Sequence, residues 1–142
     1  MTVSGSEAAL QPTTVTLVDN QSITFAATGS VVVADNATVG PAGTLTCNFE
    51  DCPIIDAPIG ALIGKIGSGP LFVIGDAVTT TGTGVVSLGI NDTNFLDNSG
   101  SFSVVATYDV ADVEPEPEPE TPAPCSGSAC FDIFQFLGSV EI

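Results

Sequence analysis

Short runs in which apolar and polar residues alternate recur along the first 110 residues. Val, Ile, Thr and Phe dominate these runs, and such side chains suit a pleated, half-buried strand. Gly, Asn, Asp and Pro separate the runs, and they predict turns, among them Asp19-Asn20 and residues 81–84. The pattern predicts strands at residues 13–18, 23–27, 30–34, 61–66, 71–74, 85–90 and 101–107, after an irregular lead-in at 1–12. Seven short strands separated by turns predict an all-β domain built as a β-sandwich.

The composition changes after residue 110, where Glu and Pro alternate. Such a run predicts an acidic, extended polyproline spacer, and residues 114–124 would reach roughly 30 Å at about 3.1 Å per residue. We therefore expect three segments: a sandwich domain at 1–110, an acidic Pro-rich linker at 111–124, and a Cys loop with an apolar C-terminal strand at 125–142.

The last twelve residues are strand-like and too apolar for a solvated tail. Their predicted assembly positions are Phe131, Ile133, Phe134, Phe136, Leu137, Val140 and Ile142. At period two, Phe134 and Phe136 share one face, while Phe131 and Ile133 lie on the other. A single strand of this length cannot fold alone. It is expected to dock either on its own sandwich or on the sheet edge of a neighbouring subunit.

The chain is strongly acidic, with 17 Asp and Glu against a single Lys or Arg and no His, for a net charge of −16. Nucleic acid is excluded as a partner because no basic surface could neutralise its phosphates. No uninterrupted apolar run is long enough to insert into a membrane. Without His or Arg, only carboxylates and one Lys remain for acid–base chemistry, so we do not expect an enzyme.

The four cysteines form two pairs of the pattern C-x4-C, Cys47 with Cys52 and Cys125 with Cys130. An even number of cysteines in a small domain favours disulfides and an oxidising compartment, outside the cell or on its surface. Zinc binding is the alternative, although the spacing departs from the usual two-residue knuckle and no His is present. Pairing within each motif is the simplest arrangement, and the spacing alone leaves the connectivity open.

Residues 91–104 hold the densest group of oxygen-bearing side chains in the sequence. Carboxylate, amide and hydroxyl oxygens together suit Ca²⁺, which takes six to eight oxygen ligands in flexible geometry. The loop lacks the glycine and terminal glutamate of an EF-hand. The alternative is a set of Asx turns in which the side chains bond to their own backbone. Asp92 and Asp97 could also resemble a glycosidase pair, but metal ligation is the interpretation we adopt.

Four segments follow one another in this part of the chain: GALIGKIG at 60–67, LFVI at 71–74, GVVSLGIND at 84–92 and DNSGSFSV at 97–104. Together they resemble the calcium-dependent galactophilic lectins of bacteria, the PA-IL type, over about residues 44–105. That resemblance implies a galactose-binding-lectin-like sandwich in which adjacent sugar hydroxyls complete the shell of a bound Ca²⁺. Cys47 and Cys52 resemble a cysteine pair of the family, and residues 53–59 are an insertion relative to it.

By this resemblance the metal ligands are Asp92, Thr93, Asp97 and Asn98, with Thr93 acting through its main-chain carbonyl and the Phe95 carbonyl as the alternative to it. Asp92 and Asn98 would also contact the sugar. A second loop, either residues 35–36 or the Val39 carbonyl, would add a further oxygen.

The expected function is therefore an extracellular, calcium-dependent, carbohydrate-binding domain of the galactose type that self-associates. The alternative is a structural subunit of an extracellular filament or surface layer. There the C-terminal strand would insert into a neighbouring subunit, and calcium would be structural.

Overall fold

The computed structural model describes residues 1–7 and 10–110 of the chain. Its strands are β1 (Thr2–Ser4), β2 (Gln11–Val33), β3 (Ala37–Val39), β4 (Leu62–Ile66), β5 (Phe72–Val73), β6 (Ala77–Ile90) and β7 (Ser99–Tyr108). A 3-10 turn at Ala34–Asn36 joins β2 to β3. Within the described ranges, no helix has the length and hydrophobicity needed to cross a bilayer. The predicted linker, the C-terminal strand, Cys125 and Cys130 lie outside the described residues.

The described strands form one antiparallel sheet in the order β1-β7-β2-β6-β4-β5, with β3 also paired to β2. β2 and β6 are long enough to take different partners along their length. β2 pairs with β6 from Gln11 to Ala26 and with β7 from Ile23 to Val32. β6 pairs with β4 only from Val86 to Ile90. These long strands therefore carry the chain from one half of the sheet to the other.

The contact between Phe25 on β2 and Phe72 on β5 shows that the sheet folds over itself. Three strand-to-strand steps separate β2 from β5, which is about 14 Å in a flat sheet. The two ring centroids are nevertheless 6.3 Å apart. The apolar faces of the two halves enclose a core that includes the fully buried Phe102, Leu62 and Leu88. The predicted all-β sandwich is confirmed, because facing the halves together is how an open sheet buries one side.

The structure corrects the division of the first half into strands. The single strand β2 contains all three of the predicted strands at 13–18, 23–27 and 30–34, except for residue 34, which begins the 3-10 turn. Asp19 and Asn20, predicted as a turn, have φ values of 50° and 58°. The pairing with β6 slips between Leu17 and Gln21. Two residues in the left-handed region thus form an irregularity that bends the strand without reversing it.

The same correction applies to β6, which starts at Ala77 although a strand was predicted only at 85–90. The predicted turn at 81–84 lies inside this strand. Gly82 is there because β6 passes close to Ile66, and a Cβ at Gly82 would lie 2.6 Å from Cγ2 of Ile66. The predicted strands at 61–66, 71–74 and 101–107 contain or overlap β4, β5 and β7. The prediction of an irregular lead-in at 1–12 is wrong, because β1 and the start of β2 lie there. Strand β3 was not predicted.

Candidate functional site

Asn91, the first residue after β6, anchors the neighbouring loop. Its side chain is fully buried. Its Oδ1 accepts a hydrogen bond of 2.9 Å from the N–H of Ile54, and its Nδ2 donates to the Ile54 carbonyl at 3.1 Å. The same nitrogen lies 3.3 Å from the carbonyl of Ala57 and 3.2 Å from that of Pro58. A carboxamide bonded in this way fixes the loop of residues 47–58 to the end of β6.

A disulfide between Cys47 and Cys52 closes this loop, which confirms the predicted pairing within the first motif. The two Cα atoms are 6.3 Å apart, and both side chains are buried. The N–H of Cys47 donates to the Ala57 carbonyl at 2.8 Å, and the Cys47 carbonyl accepts from Asp56 at 2.9 Å. The zinc alternative is therefore wrong for this pair, because both sulfurs are used in the disulfide. Three kinds of bond, covalent, backbone and side-chain, fix the loop beside Asn91.

Asp92 follows directly and presents a buried carboxylate, 6% exposed. Its Oδ1 accepts hydrogen bonds from the N–H groups of Thr93 at 2.7 Å and Asn94 at 3.3 Å. Its Oδ2 accepts from Nδ2 of Asn98 at 2.9 Å. Within residues 1–7 and 10–110, no positively charged side chain pairs with this carboxylate. The single Lys of the sequence, Lys65, lies on β4. Burying a charged carboxylate beside neutral donors alone is unfavourable unless further charge compensation is available.

Asn98 meets Asp92 from the far end of the same loop, just before β7. Its side chain is 7% exposed, and its Nδ2 also donates to the carbonyl of Gly5 at 3.1 Å. Its Oδ1 is buried and has no hydrogen-bond partner among the described residues. Leaving such an oxygen unbonded costs about 1–3 kcal/mol. The corner formed by Asp92 and Asn98 therefore has unused capacity for a group that accepts an oxygen lone pair.

Thr93 and Asp97, the other predicted metal ligands, have exposed side chains. In the described part of the chain, no hydrogen bond joins the Asp97 side chain to Asp92 or Asn98. Nor does any group of three or more His, Cys, Asp and Glu side chains lie close enough to hold a metal within residues 1–7 and 10–110. The structure thus brings Asp92 and Asn98 together and leaves the Asp97 carboxylate at the surface of the loop. Thr93 was expected to act through its carbonyl, so its exposed side chain does not bear on that role.

Val39, one predicted source of a second-loop oxygen, contacts Gly60, and Gly60 is bonded to Asn91. The N–H of Gly60 donates to the Asn91 carbonyl at 2.8 Å. A Cβ at Gly60 would lie 2.6 Å from Cγ2 of Val39, so these two residues are in close contact. Gly60 has a φ of 78°, which glycine adopts without the strain of a side chain. The other predicted source, residues 35–36, is in the exposed 3-10 turn.

Two contributors to the corner were not found by reading the sequence. Asn91 belongs to the same Asn- and Asp-rich run as the predicted ligands, and nothing in the run distinguishes a structural amide from a ligand. Gly5 is distant in sequence and is brought there because β1 pairs with β7. The N–H of Gly5 donates to the Gly100 carbonyl at 2.9 Å, which places the Gly5 carbonyl beside Asn98. No signal in the sequence pointed to this contact.

Comparisons with known proteins support the fold. No model of a known protein family matches the chain, and neither does any curated protein. Eight chains among solved structures match. One is described as "EclA N-terminal domain; PllA-like lectin" and superposes with a TM-score of 0.59 at 22% sequence identity. The match covers 77% of this chain and 94% of that one. The protein therefore has a lectin-like β-sandwich fold.

The chemistry available at the corner is oxygen ligation. One buried carboxylate and one unpartnered amide oxygen come from a short loop held by β6, β7 and the disulfide loop. The net charge of −16 attracts cations to the molecule as a whole. Hard divalent cations prefer oxygen ligands of this kind, and Ca²⁺ tolerates an irregular set of them.

Proposed function

We propose that the protein is an extracellular, calcium-dependent, carbohydrate-binding domain whose metal site is built on Asp92 and Asn98. The observation that carries the proposal is the buried, unpartnered Oδ1 of Asn98 beside the buried Asp92 carboxylate. A Ca²⁺ ion at this corner would bond to that oxygen and compensate the carboxylate charge. One ion would thus satisfy the unbonded Asn98 oxygen and neutralise the charge of the buried Asp92 carboxylate.

The competing explanation is that the loop is only a set of Asx turns. Such turns account for the bonds from Thr93 and Asn94 to the Asp92 carboxylate, and for the bond from Leu96 to Asn94. They do not account for the burial of the Asp92–Asn98 pair, because an Asx turn is satisfied equally well at the surface. The Asx bonds instead fix the carboxylate in place, as supporting hydrogen bonds do around metal ligands.

The remaining ligands would be main-chain carbonyl oxygens and the Asp97 carboxylate, which lies in the exposed part of the loop. The Thr93 carbonyl follows Asp92 in the chain, and Val39 contacts Gly60, whose N–H is bonded to the carbonyl of Asn91. The Asp97 carboxylate precedes Asn98 and would turn inward to bond the ion. Two carboxylates would then balance the 2+ charge, and water would occupy the open positions.

Carbohydrate is the proposed partner because adjacent sugar hydroxyls can replace those waters. The resemblance to PA-IL-type lectins and the lectin-like fold both support this choice. The Asp92 carboxylate would accept a hydrogen bond from one of the same hydroxyls and Asn98 would contact the sugar beside it, and the galactose type follows from the resemblance. Binding by a single shallow site is expected to be weak, so self-association would supply avidity.

The disulfide supports an oxidising location outside the cell, where dissolved calcium and glycans are available. A binding function also suits the residue content, since the sequence offers no His or Arg for acid–base work.

Calorimetric titration of the chelator-treated full chain tests the proposal. Ca²⁺ is added first, and galactose is then added with Ca²⁺ in excess, with glucose as the sugar comparison. Asp92→Asn should abolish both binding steps. Asp76→Asn removes the same charge from an exposed loop and should leave them unchanged. Absence of Ca²⁺ binding by the unaltered chain would refute the metal site. Ca²⁺ binding without any response to sugar would refute the lectin function and leave a structural ion.

A second function is favoured by a separate observation, an edge of β6 over residues 77–82 with which no strand pairs within the described residues on the side of β4. We propose as the alternative that the protein is a subunit of an extracellular filament or surface layer, joined by donation of the C-terminal strand to a neighbouring copy. Contacts of this head-to-tail kind do not close and therefore propagate. Light scattering of the full chain over a range of concentrations tests it, since only a propagating contact gives a growing series of masses.

A further inference from the structure

One side of β6 is only partly used in the described sheet. β2 pairs along one side of β6 from Ala77 to Leu88. On the other side, β4 pairs from Val86 to Ile90, and the Val85 carbonyl accepts a hydrogen bond from the N–H of Gly67. Thr83 and Gly84 are covered by the turn after β4, since a Cβ at Gly67 would lie 2.3 Å from the Thr83 carbonyl oxygen. Among residues 1–7 and 10–110, no strand pairs with that side over residues 77–82. An unpaired edge of this length is a template for an added strand.

This open edge also lacks the usual protection against pairing. Residues 77–82 read Ala-Val-Thr-Thr-Thr-Gly, without charge or proline, in a chain whose net charge is −16. Edge strands that must stay single usually carry Lys, proline or an inward charge. The edge of β6 therefore suits a partner strand and does not repel it.

A groove of about 250 Å³ runs beside the open edge. Its far wall includes Ile66, Pro70 and Phe72, and its near wall is formed by Thr80 and Gly82 on β6. Ile66 is 6% exposed and Phe72 is half-buried, so the far wall is apolar. At roughly 30 Å³ per water, the space corresponds to about eight waters, which is room for a large apolar side chain. An added strand could thus bond to the edge and place alternate side chains in the groove.

We propose that residues 77–82 of β6 and this groove form the acceptor site for the C-terminal segment 131–142 of a neighbouring copy. The inference rests on the strand-donation function proposed above. The segment matches the site in composition, because its Phe134 and Phe136 share a face at period two and would enter the groove. Backbone hydrogen bonds along the edge would supply affinity, and the groove would select the aromatic side chains.

The end of β7 and the length of the spacer allow the C-terminal segment to reach a neighbouring copy. Tyr108 on β7 pairs with Ile23, and Ile23 pairs with Thr80, so these three residues form one row across the sheet. The end of β7 is therefore about 10 Å from its own open edge. The spacer predicted at 114–124 would reach roughly 30 Å, far more than that gap requires. Such a length suits a link between molecules.

Two full-length variants test the acceptor. Thr80→Lys places a charge in the groove, and the matched control Thr24→Lys places it on the exposed face of a strand paired on both sides, to Thr79 and Thr107. Light scattering after size exclusion should show the high-mass series of the unaltered chain lost in Thr80→Lys and retained in Thr24→Lys. A tail variant, Phe134→Asp with Phe136→Asp, should also lose the series.

Mixing the two defective chains provides the decisive measurement. Thr80→Lys keeps an intact donor and the tail variant keeps an intact acceptor, so the mixture should give a 1:1 pair with twice the single-chain mass. This pair also shows that both variants fold. Loss of the series in the tail variant with full assembly of Thr80→Lys would overturn the acceptor while strand donation stands. An unaltered chain that stays at single-chain mass at every concentration would refute strand donation itself.

Discussion

Nδ2 of Asn98 lies 2.9 Å from Oδ2 of Asp92, and the two buried side chains join the two ends of one loop. Asp92 follows β6 and Asn98 precedes β7, so the bond closes the connection between two long strands. The same nitrogen reaches the Gly5 carbonyl beyond β1. The pair is therefore positioned by three strands, which keeps it in place whether or not an ion is bound.

Replacing Asn98 by Asp tests whether its side chain is a metal ligand. With calcium removed, Asn98→Asp should lower the free energy of unfolding by about 3 kcal/mol, because two buried carboxylates would face each other without a cation. With calcium added, its rise in melting temperature should exceed that of the unaltered chain. Asn94→Asp adds the same charge at an exposed position of the loop and should show neither effect. Equal calcium shifts in Asn98→Asp and the unaltered chain would contradict ligation by this residue.

Removing the Asn91 side chain should loosen the disulfide loop. Asn91→Ala leaves the backbone groups of Ile54, Ala57 and Pro58 without their partner, and we expect a loss of about 3 kcal/mol in the free energy of unfolding. Hydrogen exchange should rise at the amide of Ile54. Asn94→Ala loses one exposed bond, to Leu96, and should cost less than about 1 kcal/mol. Similar losses in the two variants would show that Asn91 does not anchor the loop.

Loss of the Cys47–Cys52 disulfide should have a modest effect on stability. The sequence separation is only 5, and closing so short a loop contributes about 2 kcal/mol. Denaturant unfolding of the double variant Cys47→Ala with Cys52→Ala measures this. Cys125→Ala with Cys130→Ala is the matched control, for which the domain of residues 1–110 should unfold as before. A double Cys47/Cys52 variant as stable as the unaltered chain would mean that backbone bonds and Asn91 suffice for the loop.

A methyl group at Gly60 should disturb the contact between Gly60 and Val39. Gly60→Ala would force a side chain into a φ of 78° and against Cγ2 of Val39. We expect it to lower the free energy of unfolding by about 2 kcal/mol and to weaken calcium binding. At Gly40 an added Cβ meets nothing within 4 Å, so Gly40→Ala should change stability by less than about 0.5 kcal/mol. If Gly60→Ala binds calcium normally, Val39 has no part in the site.

The strand pattern predicted the class of fold and much of the strand content, yet it divided the long strands wrongly. Asp19 and Asn20 carry a strong turn signal, and the Thr-Gly-Thr-Gly run at 81–84 carries another. In both places the chain continues as a strand, because pairing along the length of β2 and β6 outweighs the local preference. A local signal marks where the backbone can bend, and the neighbouring strands decide whether it reverses.

By itself the sequence determined the apolar alternation, the acidity, the C-x4-C spacing of the cysteines and the oxygen-rich loop, because these depend on residue type and short spacing. Only the tertiary structure decided which of the oxygens are buried. Asn98 is drawn inward by Asp92 and Gly5, whereas Asp97 beside it stays exposed. It also decided that Asn91 is an anchor and that β6 keeps an open edge. These features depend on contacts between residues far apart in the chain, which exist only once the sheet has folded over its core.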